Sequence, residues 1–240
     1  MYLISPRIQT VGFTLATSAI LVFSPSQGSA QNADLQQKLQ EIKAAAAANK
    51  QALAHFTWQE VRTISLKGEV KKTQTFQVTV GPNGQQQKTE LNPEPAAPPS
   101  GGRLKQHIVA KKTEEYQVYG EQIAALAKQY TPPEPQLLEQ AYKAGNISAK
   151  LDGAPGLVSL IIKNYLKPND QMTLVFNRQA KVLESLQIAS YLSDPSDAVN
   201  IAVTFAKLPN GINHVATTQV DGVSKQLGVN MQNSNYQPVQ

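Results

Sequence analysis

The sequence of 240 residues contains no cysteine. A chain without cysteine forms no disulfide bonds and has no residue that could carry the lipid anchor of a lipoprotein. It also lacks a long apolar segment near its start, because the apolar run over residues 11–23 is too short for a membrane-spanning helix. These absences exclude a disulfide scaffold and an anchored lipoprotein.

The apolar run is instead typical of an export signal. Arg7 supplies the positive charge that precedes the run, Pro25 ends it, and Gly28-Ser29-Ala30 provides small residues for a signal-peptidase site. We therefore expect residues 1–30 to be a signal peptide that is cleaved after Ala30. The mature protein is expected to be soluble, periplasmic and not lipid-anchored.

The charge of the chain is modest and evenly distributed. Its 22 basic and 17 acidic residues give a net charge of +5, and the lysines do not cluster into a stripe interleaved with aromatic residues. A nucleic-acid partner is therefore not expected. Transient contact with a membrane surface or with envelope proteins stays open.

Catalytic motifs are also lacking. The three histidines, His55, His107 and His214, stand alone, and no metal-ligand spacing, nucleophile elbow, P-loop or dinucleotide fingerprint occurs. Asp194 and Asp197 flank a proline without the ligand spacing of a calcium loop, which favours a turn. The sequence predicts no catalytic residue, no metal and no cofactor, and therefore no enzyme.

The first half of the mature chain predicts one helix followed by strands. Apolar residues recur at helical spacing over residues 31–56. Strands are predicted over residues 58–66, 70–80 and 85–91, with a turn at 81–84 and with Val70, Phe76, Val78 and Val80 on one side of the second strand. Residues 92–102 form a proline-rich connector, which we interpret as a surface loop within a single domain of residues 31–240.

The second half predicts two helices and then a series of strands. The helices cover residues 103–130 and 135–144, and Tyr119, Ile123, Leu126 and Tyr130 belong to the apolar face of the longer one. Strands follow over 146–151, 157–166, 171–177, 181–192, 199–208, 212–220 and 223–232. The turns between them are too short for parallel crossovers, so an antiparallel meander is expected. The polar tail of residues 232–240 is expected to fray.

These elements predict an α+β fold. We expect a curved antiparallel sheet of about nine or more strands, an unclosed β-barrel, covered by amphipathic helices. Its apolar face encloses either a ligand cavity or a filled core, and the sequence leaves both open. The residues expected to line a cavity are Phe76, Val78, Leu160, Ile162, Phe176, Val203 and Phe205.

The order of elements resembles a known family. A signal peptide, an amphipathic helix, strands that open at Phe56-Thr57-Trp58, a helical insertion and a long meander resemble the periplasmic lipoprotein carriers of the LolA/LolB type. The resemblance implies an acyl-chain cavity beneath a helical lid. The Arg-Pro-aromatic stretch of well-known carriers has no match here, so Arg62 is given no gating role.

Two functions follow from this reading. The first is a soluble periplasmic carrier or sensor that binds a lipid or lipoprotein acyl chain in an apolar cavity. The alternative is a structural or interaction protein of the cell envelope with a filled core and no small-molecule ligand.

Overall fold

The computed structural model describes residues 48–93, 103–131, 133–151, 153, 155–177, 179 and 182–239. The predicted signal peptide and most of the first predicted helix lie outside the described residues. Residues 94–102 of the proline-rich connector lie outside them as well.

The described chain contains ten strands and three helical segments. The helical segments are α1 (48–53), α2 (Arg103–Tyr130) and α3 (Pro135–Lys143). The strands are β1 (Phe56–Leu66), β2 (Glu69–Val80), β3 (Gln86–Glu90), β4 (Ile147–Leu151), β5 (Leu157–Lys163), β6 (Gln171–Asn177), β7 (Val182–Tyr191), β8 (Ala198–Lys207), β9 (Asn213–Gly222) and β10 (Leu227–Pro238).

All ten strands belong to one antiparallel sheet, in the order β3-β2-β1-β10-β9-β8-β7-β6-β5-β4. Strands β4 to β10 form an unbroken meander, as the short turns predict, and the single long helix over residues 103–130 is also confirmed. The sheet is open, with β3 and β4 at its edges. Both edge strands are five residues long, which limits the backbone that they offer to another chain.

Two predicted boundaries near the ends of the described chain are wrong. The first helix ends at residue 53, and Phe56 opens β1. The tail predicted to fray belongs to β10, which continues to Pro238 and pairs with β1, so that Phe56 lies opposite Pro238. Backbone pairing with β1 stabilises this polar segment without requiring apolar side chains. Its polar composition therefore led to the wrong prediction that it frays.

A β-bulge changes the predicted facing of Val70. The pairing of β1 with β2 shifts register between Ile64 and Ser65, and Val70 lies opposite Ser65 at the start of β2. The side chain of Val70 is 63% exposed, whereas Val78 on the same strand is fully buried. The prediction that Val70 lies on the same side of β2 as Val78 is therefore wrong.

The main apolar cluster joins the sheet to α2. Tyr119, Ile123, Leu126 and Tyr130 are buried in it together with side chains from the strands, as their helical spacing predicts. The helix approaches β9 closely at Gly222, where an added Cβ would lie 2.6 Å from Cε1 of Tyr119. A larger residue at Gly222 would push the helix away from the strand.

Candidate functional site

One face of the sheet, here called the inner face, carries an apolar ladder across eight strands. Each member lies opposite the next in the strand register. In sheet order the ladder contains Ile64, Val229, Val220, Ile201, Ile188, Met172, Ile162 and Ile147. Strands are spaced roughly 4.8 Å apart, so the ladder is a long apolar track.

A second ladder on the inner face changes from apolar to polar along its length. Leu160, Leu174, Leu186 and Val203 form its apolar part over β5 to β8. It then continues through Thr218, Met231, Arg62 and Gln74 on β9, β10, β1 and β2. The inner face therefore has an apolar end at β5–β8 and a polar end at β1–β3.

Five of the seven predicted lining residues belong to the main apolar cluster or pack against it. These are Leu160, Ile162, Phe176, Val203 and Phe205. Ile162 and Val203 are fully buried, whereas Leu160 and Phe176 are only half-buried. The apolar surface of the inner face therefore continues into side chains that are partly exposed to solvent.

The other two predicted residues lie in a separate, smaller cluster. Val78 is fully buried there with Trp58 and Leu53, and Phe76 packs against them as a half-buried side chain. The structure thus divides the predicted lining into two groups at the two ends of the inner face.

Contacts between aromatic rings enlarge the smaller cluster. Tyr236 of β10 stacks on Trp58, with ring centroids 5.3 Å apart, and the ring centroid of His214 lies 4.2 Å from that of Tyr236 in a tilted arrangement. Burial raises the pKa of Tyr236 and lowers the pKa of His214. Tyr236 was not predicted as part of a site, because it lies in the segment predicted to fray.

Between the two apolar clusters lies a buried group of charges, here called the charged cluster, formed by Glu60, Arg62 and Lys88. The carboxylate of Glu60 accepts hydrogen bonds from Nη2 of Arg62, at 2.8 Å, and from Nζ of Lys88. The side chains of all three are less than one-tenth exposed. The guanidinium of Arg62 also lies 4.7 Å from the ring centroid of Phe76.

The sequence of β1 carries a signal for this cluster. Glu60 and Arg62 alternate with Trp58 and Ile64 at inward positions of β1, where apolar residues are expected. Buried charges are costly unless they are paired, so charges at inward positions indicate a specific arrangement. Lys88 could not be assigned in this way, because β3 is polar along its whole length.

Tyrosines attach α2 to the turns of the sheet by hydrogen bonds. Tyr119 donates its hydroxyl to Asp197 at 2.9 Å, and Ser224 donates to the hydroxyl of Tyr119. Tyr130 donates to Asp170 at 2.5 Å and also lies 2.8 Å from Oγ of Ser190. Burial raises the pKa of both tyrosines, so they remain neutral donors at physiological pH.

The opposite face of the sheet has a shallow depression of about 180 Å³ over β6 to β9. Its lining consists of Gln171, Thr173, Gln187, Ile188, Ala189, Asn200, Ile201, Ala202 and Asp221. Five of these nine residues carry polar side chains and two are alanines. The lining is therefore mixed, in contrast to the apolar ladders of the inner face.

Among the described residues, no group of three or more His, Asp and Glu side chains is arranged to hold a metal ion. No helix in the described part of the chain combines the length and apolar character needed to cross a membrane.

No protein-family model and no curated protein matches this chain. Among solved structures, the chain is similar to a DUF1329 family protein from Desulfovibrio piger, with 11% identity and a TM-score of 0.39, covering 80% of this chain and 90% of that one. It is also similar to a LolA superfamily protein from Nitrosomonas europaea, with 8% identity and a TM-score of 0.34, covering 81% of this chain and 93% of that one.

Proposed function

We propose that this protein binds a lipid or lipoprotein acyl chain on the inner face of its sheet and acts as a soluble carrier or sensor outside the cytoplasm. One observation carries the proposal. The apolar ladders of the inner face continue into Leu160 and Phe176, which pack against the main cluster and remain half-buried. An acyl chain laid along them gains roughly 0.8 kcal/mol for each methylene that it buries.

The proposal includes the arrangement of the helices. The curved sheet is an unclosed barrel, and the helices, α2 foremost, cover its inner face. The burial of Tyr119, Ile123 and Leu126 among strand side chains supports this arrangement. A ligand would enter by displacement of a helix, with no covalent chemistry.

A second function is favoured by a different observation. Val78, Ile162 and Val203 are at most 1% exposed, and their burial comes entirely from the chain's own atoms. This is typical of a filled core, and a structural or interaction protein of the cell envelope requires nothing more.

Displacement of a fluorescent fatty acid from the mature protein separates the two functions. If the protein is a carrier, it binds the probe, and added long-chain lipids displace it. A protein with a filled core does not bind the probe. Native mass spectrometry of protein purified from its own host complements the assay, since a co-purified lipid would identify the class of ligand.

Two enlarged side chains sharpen the comparison. Leu160→Phe and Phe205→Trp add volume at predicted lining positions. If these positions face a cavity, the variants weaken probe binding and change the unfolding temperature little. In a filled core the same changes overpack and cost about 1–3 kcal/mol each. Marked destabilisation of both variants, with no binding by the parent protein, would reject the carrier.

A further inference from the structure

A third ladder on the inner face becomes exposed toward the edge strand β4. Leu151, Val158, Phe176 and Leu183 lie opposite one another in the register of β4 to β7. Leu183 is buried and Val158 and Phe176 are half-buried, whereas Leu151 is 74% exposed. Leu151, Val158 and Phe176 thus form an open apolar surface, here called the edge patch.

The longest helix is bonded to the opposite end of these strands. Tyr130 of α2 donates its hydroxyl to Asp170, in the turn that precedes β6. Phe176 lies near the far end of β6, roughly 17 Å from the first residue of that strand, Gln171. The anchoring of α2 therefore does not bring it to the edge patch.

The short helix α1 lies at the same end of the strands as the edge patch. The side-chain amide of Asn49 donates a hydrogen bond to the carbonyl of Asn213 at 2.9 Å and accepts one from its N–H at 3.0 Å. Asn213 begins β9, and the start of β9 and the end of β6 share one end of this antiparallel sheet. Leu53 is buried with Trp58 and Val78 on β1 and β2. From Leu53 back to Asn49, α1 therefore runs toward β9, in the direction of β4.

The chain that precedes α1 is long enough to reach the edge patch. The helix predicted from the sequence begins at residue 31, so residues 31–47, here called the N-terminal segment, belong to it. A helix over these residues is roughly 25 Å long. The strands from β9 to β4 span roughly 24 Å. The N-terminal segment therefore matches the width of sheet that separates Asn49 from Leu151.

The apolar side chains of the N-terminal segment are spaced to face the sheet. Ile42 precedes Asn49 by about two helical turns, and Leu39 and Leu35 precede Leu53 by about four and about five turns. They belong to the side of the helix by which Asn49 and Leu53 contact the sheet. Along the helix axis Leu35 is roughly 21 Å from Asn49. This length is close to the separation of β9 and β5, which is roughly 19 Å.

We propose that residues 31–47 continue α1 as an amphipathic helix that covers the edge patch, with Leu39 near Phe176 and Leu35 near Val158. The segment is tethered beside the patch through Asn49, so its effective concentration there exceeds that of any second copy of the chain. Its docking also shields the apolar surface next to the free edge of β4, where other chains would otherwise associate. The inference goes beyond the proposed function, because the docking requires no ligand and holds for a carrier and for a filled core alike.

The absence of cysteine from the sequence allows a direct test. Leu35→Cys and Val158→Cys are introduced together into the full chain, which is then oxidised mildly with no lipid present. A disulfide forms only when the two Cα atoms approach to about 4.4–6.8 Å, so we expect bond formation at least about tenfold faster than in a control pair. The control pair is Gln36→Cys with Val158→Cys, because Gln36 is rotated by about 100° around the helix from Leu35.

A second experiment measures the apolar surface that the segment covers. The combined variant Leu35→Ser, Leu39→Ser and Ile42→Ser removes the apolar side chains of the helix. We expect it to increase the fluorescence of the apolar dye ANS severalfold, and adding Leu151→Ser should reduce the increase, because the dye binds at the edge patch. The matched control changes three polar residues of the same segment and should leave the fluorescence unchanged: Gln36→Ser, Gln37→Ser and Gln40→Ser.

Each outcome bears on the docking. Equal rates of oxidation in the two cysteine pairs would overturn it. Disulfide-linked dimers in place of the intramolecular bond would show that a second copy covers the edge patch, and would overturn it as well. Unchanged dye fluorescence in a folded serine variant would contradict it, and if that variant does not fold, the cysteine pairs still decide. Failure of the parent protein to bind a fatty-acid probe rejects the carrier and leaves the docking unaffected.

Discussion

Tyr130 of α2 donates its hydroxyl to Asp170, whose carboxylate also accepts the backbone N–H groups of Tyr165, Leu166 and Lys167. The contact joins the last residue of the long helix to the turn between β5 and β6. Both residues are fully buried, so the bond is made away from water. Tyr119, three helical turns earlier, makes the corresponding bond to Asp197 in the turn between β7 and β8.

We expect Tyr130→Phe to destabilise the protein by about 1–3 kcal/mol, because it leaves the buried carboxylate of Asp170 without this donor and the hydroxyl of Ser190 without its partner. Urea unfolding monitored by circular dichroism measures the change. Tyr116→Phe is the control on the same helix, since no described residue bonds the hydroxyl of Tyr116 and its side chain is half-exposed. Equal effects of the two substitutions would contradict the role assigned to Tyr130.

The stability of the fold is expected to fall as pH decreases from about 7 to 5, in part through His214. Burial lowers the pKa of this imidazole in the folded protein, so its neutral form is favoured there. The free energy of unfolding that neutral His214 contributes is fully present above the ordinary histidine pKa of about 6.5. It is lost as pH falls below that value, because the buried ring must then take up a proton. His214→Phe keeps a ring beside Tyr236 and should reduce the acid-side loss of melting temperature.

His55→Gln is the control for this prediction, because His55 is exposed. Melting temperatures of the parent and of both variants are compared at pH 7 and pH 5. The same decrease in the parent and in His214→Phe would show that other groups account for the acid sensitivity.

Removal of residues 232–240 is expected to destabilise the sheet. The truncation deletes the part of β10 that pairs with the first half of β1, together with the ring of Tyr236 that stacks on Trp58. Trp58 is the single tryptophan, so its fluorescence reports this site alone. We expect a red-shifted emission and a lower melting temperature.

A chain shortened only by residues 239–240 is the matched control, since β10 ends at Pro238. It should behave like the parent protein. Unchanged emission after the longer truncation would mean that the pairing of β10 with β1 does not protect Trp58.

Export is predicted to remove residues 1–30. Mass spectrometry of the exported protein should find an N-terminus at Gln31, and the protein should leave the membrane fraction after washing with high salt. Ala30→Arg places a large residue where signal peptidase requires a small one and is expected to block cleavage. Ser29→Gln changes only the intervening position and should be cleaved normally. Exported protein that begins at Met1 would refute the signal peptide.

Much of the sheet could be predicted from local chemistry. Between β5 and β10, Gly, Pro, Asn and Asp mark turns that are too short for anything except antiparallel neighbours, and alternation identifies the inward residues. The face of α2 could be predicted as well, because Tyr119, Ile123 and Leu126 follow the helical period. In both cases the spacing of neighbouring residues determines the structure.

Contacts between distant segments could not be predicted in this way. The pairing of Phe56 with Pro238 joins opposite ends of the described chain, and no local pattern encodes it. The charged cluster depends on the same kind of contact, because Lys88 reaches Glu60 from a strand whose composition suggests a solvated edge. In the candidate site, alternation along each strand predicts the apolar residues. The contacts among the polar residues can be predicted only when the order of the strands is known.

The pairing of β1 with β10 also sets a condition on folding. Synthesis proceeds from the N-terminus, so β1 is made long before the strand that becomes its second neighbour. Until the last strand emerges, the edge of β1 that later pairs with β10 is unpaired, and Trp58 lacks the ring of Tyr236. Long-range pairings of this kind are slow to form, because chain entropy is lost before the contact is gained. An incompletely synthesised chain is therefore the form of this protein most prone to aggregate.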